Sequence, residues 1–315
     1  MVVFAILIKS SIYGLSVFVT GTLTDRVDVL DILSLRYLIT FSVLLLLRLV
    51  GIIKINVRLK DLFAGGETRK NLSILLMAGI FEPVLCIFFE TAGLSMTTGI
   101  TAGIIIAFSP IFTCLFETIF LKEKNSLAQK IFLGIGIVGI CYVVVNTKTN
   151  SGEDSLLGIC LMFASIICGQ MYCVCTRKVK GVYRGFDVSF VMATLGFIVF
   201  NGINLVRHLI DGSITRYFAP FADPQNLIAF IYLGIVCSVV ATTLGNFTFR
   251  RAQLSSISAF GGVSTLVTIF AGVFFAGETL YHYHIIGTAL IFIRIIGVNV
   301  LDIKKRKKLS LEEQS

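Results

Sequence analysis

Three charged side chains stand deep inside apolar runs. Glu82 lies in GIFEPVLCIFFE (79–90), Lys9 in VVFAILIKSS (2–11) and Arg294 in ALIFIRIIGVNV (289–300). Arg36 and Glu90 sit nearer the ends of theirs. A charge at the centre of a bilayer costs about 2.5–3.5 kcal/mol on insertion scales, so such groups face a bundle interior or a wet cavity. A carboxylate there can hold a substrate ammonium or carry a proton. A guanidinium matches a carboxylate or phosphate through two parallel hydrogen bonds. Either group can instead serve the other: Glu82 can pair with Lys9 or Arg294. Arg36 and Glu90 read as a structural or gating pair near the outer mouth. Pro83 follows Glu82 directly. Its ring nitrogen has no hydrogen for the Gly79 carbonyl, so the helix can bend there. Pro110, in FSPIF (108–112), marks a second expected bend.

These residues need a scaffold that holds them at depth. Of 315 residues, 56% are hydrophobic and 14% charged, well below the roughly 25% charged of soluble domains. The chain cannot cover itself with polar surface in water and reads as an integral membrane protein. About 20 apolar residues cross a bilayer as a helix. That length gives spans near 2–23, 31–51, 71–93, 97–120, 128–146, 155–176, 187–207, 226–248, 255–277 and 283–302. The third and fourth are divided only by SMTT (95–98). The fold class is all-α, with about ten transmembrane helices.

The net charge of +9 does not point to nucleic acid. One alternating set of connections, with the tail KKRKK (304–308), holds 20 of the 27 lysines and arginines; the other set holds 4. Positive charge stays in the cytoplasm, so both termini are predicted there, in a multi-pass protein of the cell membrane. At about 1.5 Å of rise per residue, Glu82 lies about 16 Å from the inner face, Arg294 about 15 Å from either face and Lys9 about 12 Å in.

Shifted by 155, residues 93–146 fall on 248–301 without a gap, and 8 of 54 positions agree, including Ser109/Ser264, Thr113/Thr268 and Glu123/Glu278. Five helices per half would insert in opposite directions, a transporter design with its site at the midplane between the halves. AGLSMTTGITAG (92–103), FSPIF, LKE (121–123), GIGIVG (134–139), NFTFRRAQLSSIS (246–258) and AGETL (276–280) follow in an order that resembles the drug/metabolite transporter superfamily, EamA branch. YGLSVF (13–18) and LRYLIT (35–40) resemble that family's first two helices. Arg294, opposite Gly139, and Thr265, opposite Pro110, depart from its pattern. The resemblance implies two inverted five-helix repeats around a central cavity: residues 1–150, then 151–303, with a basic cytoplasmic tail at 304–315. It implies no particular substrate.

Glu123 and Glu278 precede the fifth and tenth spans, where a carboxylate favours a helix N-terminus. Glycines such as Gly99 and Gly103 permit close helix contact. Cys173 and Cys175, and His282 and His284, lack the further ligands a metal needs, so neither metal nor cofactor is expected. No nucleotide-binding loop or nucleophile elbow occurs. The function that follows is a secondary transporter, not an enzyme, exporting a small polar or zwitterionic, amino-acid-like metabolite by alternating access. Its partners are a small-molecule substrate and the bilayer, with a proton as the candidate coupling ion; oligomeric state stays open. Substrate contact falls on Glu82, Arg294 and Lys9. The competing readings are a lipid-modifying enzyme, or a scaffold or receptor that needs no charge at mid-depth.

Overall fold

The structure is a computed structural model, which describes residues 2–57, 65–120, 138, 142, 155–179, 181–251, 261–275, 277–286, 288–290 and 293. The described residues form helices and turns, with no strand among them. α1 is Val2–Thr24 and α2 Val29–Leu49. α3, Gly66–Gly79, runs through a π-helical stretch, Ile80–Leu85, into α4, Cys86–Leu94. α5 is Gly99–Ile106 and α6 Ser109–Phe120. After the midpoint come α7, Leu156–Lys178, and α8, Gly185–Ile210. α9, Pro224–Ile231, passes through a second π-helical stretch, Tyr232–Ala241, into α10, Thr242–Arg251. α11 is Gly261–Phe275.

Among the described residues, six helical runs are long and apolar enough to cross a membrane: Phe4–Thr24, Val29–Leu49, Glu67–Leu94, Leu156–Lys178, Gly185–Ile210 and Pro224–Thr248. Each corresponds to one predicted span. Val263–Phe275 is apolar but shorter. The predicted spans 128–146 and 283–302 fall largely outside the described residues.

Local chemistry sets the helix ends. Asp28 caps α2, its carboxylate accepting from Leu30 N at 2.9 Å. Such a cap satisfies one of the N–H groups that a helix start leaves without a partner. SMTT does divide two helices: Thr98 caps α5 by accepting from Thr101 N at 3.3 Å. Asp223 caps α9 with Pro224 at the first helical position. α2 and α8 end alike. Gly51 and Gly212 take positive φ, 82° and 63°, a conformation that side-chain-bearing residues rarely adopt. The next amide in each case bonds five residues back, Ile52 N to Leu47 O and Ser213 N to His208 O.

Helix packing is unchanged when the two halves are exchanged. α1 packs on α11, answered by α7 on α5 and α6. The α3–α4 run packs on α7, answered by the α9–α10 run on α1. α2 with α8, and α5 with α11, are each their own counterpart. With lipid outside, close packing of small residues holds such contacts. Gly103 shows it: a Cβ there would lie 3.0 Å from the Thr268 methyl, while Thr265 Oγ1 donates to the Gly103 carbonyl at 3.1 Å.

The N-terminal carboxylate expected at residue 278 serves a different helix from the one it precedes. Glu278 accepts from Gly99 N at 3.0 Å and Ile100 N at 2.8 Å, the opening amides of α5 in the other half. Sequence proximity favoured the following helix, but the α5–α11 contact brings the start of α5 to the carboxylate. Glu123 lies outside the described residues.

Candidate functional site

The π-helical stretches lie at equivalent places in the two halves and put irregular backbone at mid-run. In the first, Glu82 has φ −141° and ψ 117°, an extended residue inside a helix. Proline pushes the preceding residue toward that region, and the Glu82–Pro83 peptide is cis. Pro83 itself is buried at this break. The other helix carrying an expected bend is also interrupted: α5 ends at Ile106 and α6 begins at Ser109, one residue before Pro110. Such irregularity at membrane depth is tolerated where it lines a cavity.

A cavity of about 220 Å³ opens beside the Glu82 break. It receives Lys9 and Tyr13 from α1, and Arg36 and Tyr37 from α2. Glu82, Cys86 and Glu90 line it from the third run. The second half contributes Tyr172, Met192, Ser238 and other uncharged residues. Lys9, Arg36, Glu82 and Glu90, spread over 82 positions of sequence, thus share one space. Arg294 lies outside the described residues.

Glu82 is half-buried and faces this space. Among the described residues, no hydrogen bond or ion pair within 4.0 Å reaches its carboxylate. The charges that act on it are Lys9, Glu90 and Arg36, and Lys9 is the strongest of opposite sign. Lys9 fits because α10 leaves it room: a Cβ on Gly245 would lie 3.2 Å from Lys9 Cε.

Glu90 and Arg36 were expected to pair. They act on each other electrostatically, but their direct bonds go elsewhere. Glu90, 5% exposed, accepts from the Tyr13 hydroxyl. Arg36, 4% exposed, donates from Nε to Ser238 Oγ at 2.9 Å and from Nη2 toward Cys237 Sγ at 3.5 Å. Each side chain finds a closer partner on another helix, so Glu90 ties to α1, and Arg36 joins α2 to the second π-helical stretch. Thr40 strengthens that junction, its hydroxyl 2.8 Å from Arg36 O and 3.0 Å from Gly234 O. Guanidinium has five N–H donors in all, and these two bonds leave three others on a side chain that lines the cavity.

Sequence reasoning missed the tyrosines. Tyr13 stands four residues after Lys9, and Cys86 and Glu90 are likewise spaced by four. That spacing puts each pair on one helix face and is the signal that could have found them. Tyr37 lines the cavity with no hydrogen bond to its hydroxyl among the described residues. On the other wall Tyr172 donates to Asn246 Oδ1 at 2.5 Å, and Asn246 Nδ2 donates to Ser189 Oγ at 3.0 Å. This brace joins α7, α10 and α8, and no local pattern announces it.

A second polar cluster stands outside the cavity, where the start of α2 meets the end of α8. Asp31 accepts from Asn204 Nδ2 at 2.9 Å and Arg207 Nη2 at 3.0 Å, with His208 Nε2 at 2.9 Å. Arg207 also pairs with Asp28. The Arg36 and Tyr37 side chains enter the cavity about one turn further along α2.

Comparison with known proteins shows the family. The model of the EamA-like transporter family matches residues 1–145 and again 156–300. The chain is 34% identical over 304 residues to the uncharacterized transporter YcxC of Bacillus subtilis (strain 168), covering 96% of this chain and 94% of the relative. It is 26% identical over 314 residues to the uncharacterized transporter YetK of the same organism, covering 94% and 85%. A probable terminal-alkyne amino-acid exporter of Streptantibioticus cattleyicolor is 21% identical over 210 residues, 67% of each chain. One solved crystal structure superimposes with a TM-score of 0.59 over 93% of this chain and 98% of the other; at 15% identity it speaks to fold alone.

Proposed function

Since the chain belongs to the EamA-like transporter family, we propose that it is a secondary transporter that exports a small zwitterionic, amino-acid-like metabolite across the cell membrane. Ten helices in two inverted repeats rock about the cavity, with both termini in the cytoplasm. The exchange-invariant packing supports a repeat architecture of this kind.

The observation that carries the reading is the Glu82 carboxylate, open to the cavity and without a direct partner among the described residues. A half-buried carboxylate left so at membrane depth is costly, and a substrate ammonium relieves that cost. Lys9 and the free edge of Arg36 provide the complementary place for a carboxylate. The charged groups described around the cavity are two cations and two anions, Lys9 and Arg36 against Glu82 and Glu90. A zwitterion leaves that balance untouched, whereas a cation or an anion adds an uncompensated charge. A proton on Glu82 would neutralise the same group, which makes it the coupling ion of this reading. The distant likeness to an amino-acid exporter points the same way.

Flux in proteoliposomes tests the proposal. Glu82→Gln keeps the shape and removes the charge. Transport should fall at least tenfold while the protein stays folded and inserted, since no direct bond to Glu82 is lost. Full flux in a well-folded Glu82→Gln protein refutes the role of this carboxylate.

A further inference from the structure

The cavity is chemically lopsided. Among the described residues, its four charged side chains, Lys9, Arg36, Glu82 and Glu90, all come from the first repeat. The described lining residues from 165 onward include none. At the offset of 155 that relates the repeats, Glu82 corresponds to Cys237 and Glu90 to Gly245, so the second repeat has small neutral groups where the first has carboxylates.

The polar atoms of that second wall are also largely occupied. Tyr172, Asn246 and Ser189 hold one another. Ser165 Oγ lies 3.4 Å from Cys86 Sγ, and Ser238 donates to Leu233 O at 2.8 Å while accepting from Arg36. Gln170 is engaged as well. What this wall turns toward a ligand is mostly carbon: the Tyr172 ring, Ile166, Met192, Ala193 and Ala241. Tyr172 is tied to α10 through Asn246, which Ser189 of α8 holds in turn. Met192 packs in the same cluster, and an unbranched thioether adapts to fill irregular space. A cavity of about 220 Å³ is the share of about seven liquid waters, room for a short head group and one medium side chain.

We propose that the two repeats divide recognition, the first holding the charged head of the ligand and the second setting the size of an apolar tail, with Tyr172 as the fixed wall and Met192 as its adjustable limit. The substrate class is then a zwitterion with an apolar side chain. This inference rests on the zwitterion reading above and adds which half reads which end.

The test is thermal stabilisation of the purified full-length protein by glycine, alanine, leucine and phenylalanine. Two further probes, 3-methylbutylamine and 4-methylpentanoate, each keep the leucine tail and one of its two charges. The native protein should respond to leucine or phenylalanine, weakly or not at all to glycine, and not to the single-charge probes. Met192→Ala should move the preference toward the larger tail by about tenfold or more, the scale on which hydrophobic pockets discriminate by small changes in size. Ala241→Val, on the same wall, should move it the other way and keeps the test sharp should Met192→Ala unfold. Head-group dependence should be the same in both variants. An unchanged order of tails in both folded variants overturns the division of recognition while leaving the zwitterion reading intact. If no zwitterion of any tail stabilises the native protein, that reading falls, and this inference with it. A single-charge probe that stabilises as well as leucine overturns the role of the first repeat as a two-charge head site.

Discussion

Glu278 offers a perturbation whose size can be worked out from geometry. Its carboxylate accepts from the amides of Gly99 at 3.0 Å and Ile100 at 2.8 Å, the first two residues of α5. Hydrogen bonds to a charged group contribute about 1.5–3 kcal/mol each, and a carboxylate at a helix N-terminus adds about 0.3–1 kcal/mol. The side chain is only half-buried, so solvent screening pulls the total to the low end, about 2–4 kcal/mol for Glu278→Ala. At about 2–4 °C per kcal/mol for a chain of a few hundred residues, Tm should fall by roughly 4–16 °C. Glu278→Gln keeps one acceptor and should lose about half as much. Gly99→Ala reaches the same contact from the other side, because the new Cβ would stand 2.9 Å from Glu278 Oε1 and force the carboxylate away. The double variant should therefore be little worse than Glu278→Ala alone, as expected for two changes to one interaction. Scanning fluorimetry of detergent-purified protein measures all four. A Glu278→Ala protein within 1 °C of native, or strict additivity in the double variant, refutes the cap.

Tyr13→Phe removes the hydroxyl that Glu90 accepts from; a buried carboxylate losing a donor should cost about 1.5–3 kcal/mol, seen as a lower Tm. The loss should shrink when Glu90→Gln, which keeps one uncharged acceptor, is already present. Asp31→Ala strips three partners from one carboxylate at the α2–α8 junction and leaves Arg207 and His208 facing each other, so unfolding should come about 2–4 kcal/mol sooner; Asp31→Glu should recover part of this. Reporters fused after Ser315 and at Gly152 should report cytoplasmic and external locations respectively, and the same side for both would break the proposed count of spans.

Much of this molecule is written in local patterns. Apolar runs about 20 residues long specify spans because bilayer thickness and helical rise are fixed lengths. All six long apolar helices among the described residues coincide with predicted spans. The break at SMTT follows from a threonine that can cap the next helix. The importance of Lys9, Arg36, Glu82 and Glu90 was legible too, since a charge inside such a run needs company wherever it ends up, and all four do meet at one cavity.

Their partners were not legible. Glu90 bonds Tyr13 at a separation of 77 residues, Arg36 bonds Ser238 at 202, and Glu278 caps a helix 179 residues away. Each of these depends on which helix neighbours which and on how far each is rotated about its axis. In a bilayer nearly every face of every helix is apolar, so the hydrophobic periodicity that fixes rotation in a soluble protein is faint. Composition and spacing by themselves determined that the chain spans a membrane and which charges its interior would have to accommodate. Tertiary packing alone decided that Glu90 and Arg36 would each take a neutral partner, that Glu82 would be left facing the cavity, and that every charge described on its wall would come from one half.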